Sequence, residues 1–240
     1  MGGRASGVEY PRLTGSAVPH PRAQEFAQDL ECFLNSALPN PVEFALVETE
    51  TSLRIGPRSP SNAATSFGLV PLGDGDLAPL LKVEYKLADD PSGEYCRVLT
   101  STFGLFVPTE TNGRRGSWPV IRLEFERTQT PPAHVHFHTA SQTLGWLYGI
   151  AGGAYRPPQD LHFPVGSQRF RPTIEDFLLF LHRERLFRSW RKDTDWKSQA
   201  RKRLDEYERR QAIAVVKHFA HDVADELRSL GWTITPPGGA

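Results

Sequence analysis

The sequence predicts an α+β fold, in which an antiparallel β-meander carries an N-terminal helix and two or three C-terminal helices. Apolar and polar residues alternate through residues 81–87, 118–127 and 133–138, as they do in strands with one solvent-facing side. Helical periodicity lies before and after this block. Because strands and helices are grouped rather than alternating, the pattern is typical of α+β proteins.

The 240 residues, 39% of them hydrophobic, are enough for one hydrophobic core. We expect a single domain over residues 22–232, with the sheet at about 42–138 and the C-terminal helices at about 173–230. Gly, Pro and Ser without periodicity dominate residues 1–21, so we expect a disordered arm there and a disordered tail over 233–240.

Helix ends follow from periodicity and capping residues. Apolar residues at helical spacing predict a helix over 22–37. Thr173 is the expected N-cap of a later helix, because Asp176 follows three residues on and forms an acidic variant of the capping box. A further helical region is predicted over about 194–230, with a break near Gln211.

The connections between these elements follow from turn residues. Residues 42–55 predict one strand or a strand pair, and 94–107 a longer strand that ends in a turn over 108–117. Residues 139–160 are rich in Gly and aromatics, and we expect a loop there with one helical turn. Residues 161–165 predict a last short strand.

Composition excludes several protein classes. No apolar run approaches the roughly 18–20 residues that a membrane span needs, and the first residues contain no apolar signal region. Cys32 and Cys96 are too few for a disulfide framework or a cysteine zinc site. We therefore expect a soluble, cytoplasmic protein that has no membrane partner.

The charge is balanced overall but unevenly distributed. Lys and Arg total 28, as do Asp and Glu, which argues against a chain whose whole surface binds nucleic acid. Residues 22–110 hold 6 basic and 13 acidic side chains, whereas 111–240 hold 20 and 14. Much of the positive charge lies in 183–210. This region is either a solvated helix face with i,i+4 ion pairs or a surface for a nucleotide, RNA or protein partner.

Three of the eight histidines, His134, His136 and His138, lie within five residues. In a strand, residues i, i+2 and i+4 share one face. The apolar residues between the histidines take the core face, so the three imidazoles project from the other side. Clustered titratable groups of this kind are typical of functional sites.

The neighbours of these histidines follow from hairpin register. The short connection between 118–127 and 133–138 predicts a hairpin whose apolar faces must agree, so paired residue numbers have an even sum. We expect a sum near 260. That register places Glu126 opposite His134, Glu124 opposite His136, and Arg122 opposite His138.

Three roles for this cluster remain open. His134 and His136 could bind a divalent metal such as zinc, with His138, His162 or a glutamate as third ligand and water in the open position. The imidazoles could instead act without metal as acid, base or nucleophile, oriented by Glu124 or Glu126. The cluster could also be a solvated face where histidines pair with carboxylates.

Arg169 and Arg171 precede the helix that begins near Thr173. Backbone N–H groups at a helix N-terminus, together with two guanidinium groups, could hold a phosphate. The alternative is that these arginines pair locally with Glu175 and Asp176. With Arg122, they are the candidate substrate-binding groups.

The segment HVHFH, residues 134–138, resembles the strand motif of the histidine-triad nucleotide hydrolases and transferases, His-φ-His-φ-His-φ-φ. In that family the middle histidine is the nucleophile on phosphorus, so the resemblance implies this role for His136. A longer stretch, AHVHFH, LHFPVGSQRFRPTIEDFLLFL and RKRLDEYERRQ, resembles a family of small bacterial α+β proteins in which a histidine strand leads to a Pro-x-hydrophobic-Glu-Asp helix. That layout is similar to toxins of toxin–antitoxin pairs that are suspected to act on RNA.

Two functions of different kinds follow from these observations. One is an enzyme that uses the histidine cluster, with Glu124 and Glu126, on a nucleotide, RNA or other phosphoester. The other is a non-catalytic protein of a toxin–antitoxin or regulatory pair that docks through its basic C-terminal helices.

Overall fold

The described residues form an antiparallel sheet of seven strands and five helices, which confirms the α+β prediction. The structure is a computed structural model that describes residues 21–48, 52–59, 67–89, 96–111, 114–128, 132–138, 141–152 and 171–235. Several predicted features lie outside these ranges: most of the arm, the end of the tail, the strand over 161–165, His162 and Arg169.

The strands are β1 Phe44–Glu48, β2 Leu53–Pro57, β3 Val70–Pro71, β4 Leu80–Asp89, β5 Cys96–Thr111, β6 Arg114–Glu126 and β7 Ala133–Phe137. Their order across the sheet is β1-β2-β4-β5-β6-β7, and the short β3 pairs with the start of β4. The sheet is therefore a meander, as predicted, and β7 is its last strand within the described ranges. β5 and β6 pair as far as Thr111 and Arg114, so the chain reverses within the predicted turn over 108–117, but most of that segment is strand.

The helices are α1 Pro21–Ala37, α2 Ser141–Ala151, α3 Ile174–Arg183, α4 Trp196–His218 and α5 Ala220–Ser229. The predicted loop over 139–160 therefore contains a helix of three turns. The C-terminal helical region breaks at Phe219 and not near Gln211. None of these five helices is long and apolar enough to cross a membrane.

The predicted cap of α3 is confirmed. The Thr173 hydroxyl accepts a hydrogen bond from the Asp176 N–H at 3.3 Å, and the Thr173 N–H donates to the Asp176 carboxylate at 2.9 Å. This reciprocal pair satisfies two donors that a helix N-terminus otherwise leaves free.

The sheet has two unlike faces because the strand side chains alternate. On one face, Tyr85 and Phe103 are buried beneath the helices, and their rings link Phe26 of α1 to Phe177 of α3 through ring contacts with centroid distances of 5.1, 5.4 and 6.4 Å. We call the other side the open face. Its side chains include Lys82, Glu84, Arg122, Glu124, His134 and His136, all at least partly exposed.

Candidate metal centre on the open face

The predicted hairpin register between β6 and β7 is wrong by two residues. Glu124 lies opposite His134, and Arg122 lies opposite His136. Glu126 instead lies beside Pro132, to whose carbonyl its N–H donates at 2.8 Å. Glu126 therefore has no histidine opposite it, although the predicted parity and face of the histidines are correct.

Glu124, His134 and His136 form one compact cluster. Each offers a ligand atom, and these three atoms lie within 4.8 Å of one another. Oε2 of Glu124 is 3.5 Å from Nε2 of His134 and 3.3 Å from Nε2 of His136. The two imidazole rings meet edge to face, with centroids 4.9 Å apart. The cluster is open to ligands because the His136 side chain is 44% exposed.

These separations are compatible with a shared metal ion. A charge-assisted hydrogen bond between such groups is about 2.7–2.9 Å long, which is shorter than either distance. Zinc lies about 2.0–2.2 Å from nitrogen and oxygen ligands, so two of its ligands at tetrahedral positions are about 3.3–3.6 Å apart. Both Glu124–histidine distances fall in this range.

Arg122 orients the carboxylate of this cluster. Its NH1 atom is 3.3 Å from Oε1 of Glu124, the oxygen that does not approach the histidines. One carboxylate oxygen is thus held by the guanidinium while the other faces both imidazoles. Partners of this kind fix the direction of a metal-binding carboxylate.

His138 lies next to the cluster but outside it. Its N–H donates to the Val120 carbonyl at 3.1 Å, and its ring centroid is 6.5 Å from that of His136. Burial, followed by the charges of Arg122 and His136, lowers the pKa of His138 below its ordinary value of 6.5.

Of the predicted phosphate-binding arginines, Arg171 does not assemble with the histidines, and Arg169 lies outside the described residues. The guanidinium of Arg171 lies 5.6 Å from the Phe125 ring and 4.9 Å from the Tyr207 ring, and it donates to the Tyr207 hydroxyl at 3.0 Å. Phe125 projects from the face of β6 opposite to Glu124. Arg171 is therefore on the helix side of the sheet. Arg122 is the candidate that the fold brings to the cluster.

The basic region over 183–210 takes part in ion pairs within the chain. The i,i+4 pair expected of a solvated helix is present between Arg210 and Glu206. Farther along, α5 has no buried residue. Partner binding by residues 183–210 stays a prediction. Further ion pairs of this region include Arg191–Asp193, Arg203–Glu175 and Arg203–Asp29.

Gly104 and Phe106 of β5 also belong to the open face, and neither is among the site residues predicted from the sequence. The available signal was the glycine, because an isolated glycine within a strand pattern often marks a close approach of other groups. A Cβ atom on Gly104 would lie 2.7 Å from Cε2 of Phe106 and 3.3 Å from Cγ of Arg122. Gly104 thus makes room for both side chains.

Comparisons of the chain with protein-family models, with curated proteins and with solved structures give no significant match.

Proposed function

We propose that the protein binds a divalent transition metal, of which zinc fits best, through Glu124, His134 and His136, and uses it to hydrolyse a phosphoester. The observation that carries this proposal is the compact cluster of three ligand atoms on an open sheet face. Two histidines and one glutamate are a ligand set of catalytic zinc sites, which keep one position for water. Bound zinc lowers the pKa of that water to about 7.

Arg122 supports a phosphoester as the substrate class. Its guanidinium lies beside the metal ligands, where it can bind a phosphate oxygen and stabilise negative charge that develops on the phosphoryl group. A water held by the metal would have access to a phosphoester from the same side, because the cluster is on the open face.

Metal content tests the proposal directly. We expect near-stoichiometric zinc in wild-type protein purified without a His-tag or chelator, measured by plasma mass spectrometry. The His134→Ala and His136→Ala variants are expected to lose the zinc because each removes a ligand. The same samples are then assayed with bis(p-nitrophenyl) phosphate, and we expect hydrolysis only where zinc is retained.

Two histidine variants serve as matched controls. His138→Ala removes an imidazole from the same strand, and His221→Ala removes one from the exposed surface of α5. Both are expected to retain zinc, because neither residue belongs to the cluster. A wild-type protein without transition metal, or metal that persists in the double variant His134→Ala/His136→Ala, would overturn the proposal. Iron in place of zinc would keep the site but contradict hydrolysis, since two histidines and a carboxylate also mark Fe(II) oxygenases.

A further inference from the structure

The open face has an apolar end next to the metal centre. Leu80 and Phe106 pair across β4 and β5, and they alternate with the buried Leu81 and Leu105. Both therefore project to the open face. They are partly exposed and do not belong to the hydrophobic core of the described residues. An aromatic ring at such a position is available to a ligand.

The edge of the Phe106 ring approaches Gly104, whose register partners are two basic residues. Gly104 is paired with Lys82 on β4 and with Arg122 on β6. Because Gly104 has no side chain, the Phe106 ring and the Arg122 stem converge over its Cα; a Cβ there would lie 2.7 Å from Cε2 of Phe106 and 3.3 Å from Cγ of Arg122. We call Phe106, Gly104, Lys82 and Arg122 the platform.

The platform is continuous with the metal ligands. Arg122 belongs to both, since it pairs with Glu124 at 3.3 Å and lies opposite His136. Cε2 of Phe106 and Cγ of Arg122 lie 2.7 and 3.3 Å from the position that a Cβ of Gly104 would take, so these two atoms are no more than 6.0 Å apart. A nucleotide whose base stacks on Phe106 can therefore place its phosphate at Arg122, on the side of the metal ligands.

We propose that the platform binds a nucleoside phosphate, with the base stacked on Phe106 and the phosphate directed towards Lys82, Arg122 and the metal centre. A nucleoside phosphate would be the substrate class of the metal centre described above, and the direction of its phosphate rests on the proposed function. Stacking on an aromatic ring is tolerant of base identity because every base has a π-face. The platform therefore selects nucleotides over other phosphates without selecting one base.

Lys82 and Arg122 each form an ion pair with a glutamate of the open face. Lys82 lies 3.3 Å from Glu84, and Arg122 lies 3.3 Å from Glu124. A metal ion bound to Glu124 competes with Arg122 for the charge of that carboxylate. The guanidinium then donates more readily to a phosphate, so metal and nucleotide are expected to strengthen each other's binding.

Calorimetric titration with two probes tests the platform. Adenosine 5′-monophosphate carries a base and a phosphate, whereas ribose 5-phosphate lacks the base. We expect metal-depleted wild-type protein to bind the nucleotide about 5- to 150-fold more tightly than ribose 5-phosphate, which is the contribution of one stacked base. Phe106→Ala is expected to abolish this difference while leaving the affinity for ribose 5-phosphate unchanged. Phe106→Trp is expected to keep the difference, and Trp232→Ala, which removes an exposed aromatic ring beyond α5, leaves it unchanged.

A second variant acts without removing the ring. Gly104→Ala places a Cβ where the Phe106 edge now lies, so we expect it to displace the ring and reduce the nucleotide preference. Equal affinities of the wild type for the two probes, or a preference that survives Phe106→Ala, would overturn the platform. Zinc content measured on the same samples separates the two proposals. If the protein contains zinc but shows no preference for the nucleotide, the metal centre stands and the platform is refuted. If it prefers the nucleotide but contains no zinc, the platform stands and the metal centre is refuted.

Discussion

Replacing Arg203 with alanine is expected to lower the free energy of unfolding by about 3–5 kcal/mol. Arg203 of α4 donates from Nε to Glu175 of α3 at 2.6 Å and from NH1 to Asp29 of α1 at 2.5 Å. The Glu175 side chain is only 8% exposed. Removing its partner leaves a buried carboxylate without compensation, which destabilises far more than the loss of a surface ion pair.

Two controls separate charge from packing. Arg210→Ala acts on the same helix, but Arg210 is 69% exposed and pairs with Glu206 at the surface, so we expect a change within about 0.5 kcal/mol. Arg203→Met keeps an aliphatic stem near the Phe33 ring and removes only the charge, so it should resemble Arg203→Ala. Urea unfolding measures all three. Equal small effects at Arg203 and Arg210 would mean that the Glu175 carboxylate is not dependent on its partner.

This network could not be predicted from the sequence. Arg203 is separated from Asp29 by 174 residues and from Glu175 by 28. The sequence suggested Arg169 and Arg171 as local partners of Glu175 and Asp176, because local ion pairs are the ones that spacing can indicate. Helix packing decides otherwise, since it brings α1, α3 and α4 together and directs Arg171 towards Phe125 and Tyr207.

Alternation predicted the face of each strand but not the register between strands. A one-residue slip would have turned the apolar side of β7 outwards, so the parity of the hairpin was determined. A two-residue slip leaves every side chain on the same face, so the hydrophobic pattern does not distinguish the two registers. That is why the open-face position of His134 and His136 is correct, whereas the partner expected for His134 was Glu126 and the observed one is Glu124.

Helix α2 was missed although its apolar stripe is readable. Leu144, Leu147, Tyr148 and Ala151 are all buried, and they follow the i, i+3, i+4, i+7 spacing of a helix face. Glycines at two interior positions lowered the apparent helical preference, since each costs about 1 kcal/mol relative to alanine. Burial of the stripe outweighs this local cost, which is a tertiary effect that propensity alone does not contain.

Zinc is expected to stabilise the folded protein by about 2.7 kcal/mol at a free concentration 100 times its dissociation constant. For a domain of this size that is an increase in melting temperature of about 5–11 °C. Glu124→Ala removes a ligand and should abolish the increase. Glu84→Ala is the matched control, because Glu84 lies on the same face and pairs with Lys82, yet does not belong to the cluster. The increase should also disappear in acid, since only a neutral imidazole binds the metal. A melting temperature that rises equally in the Glu124→Ala variant would place the zinc elsewhere and refute the site.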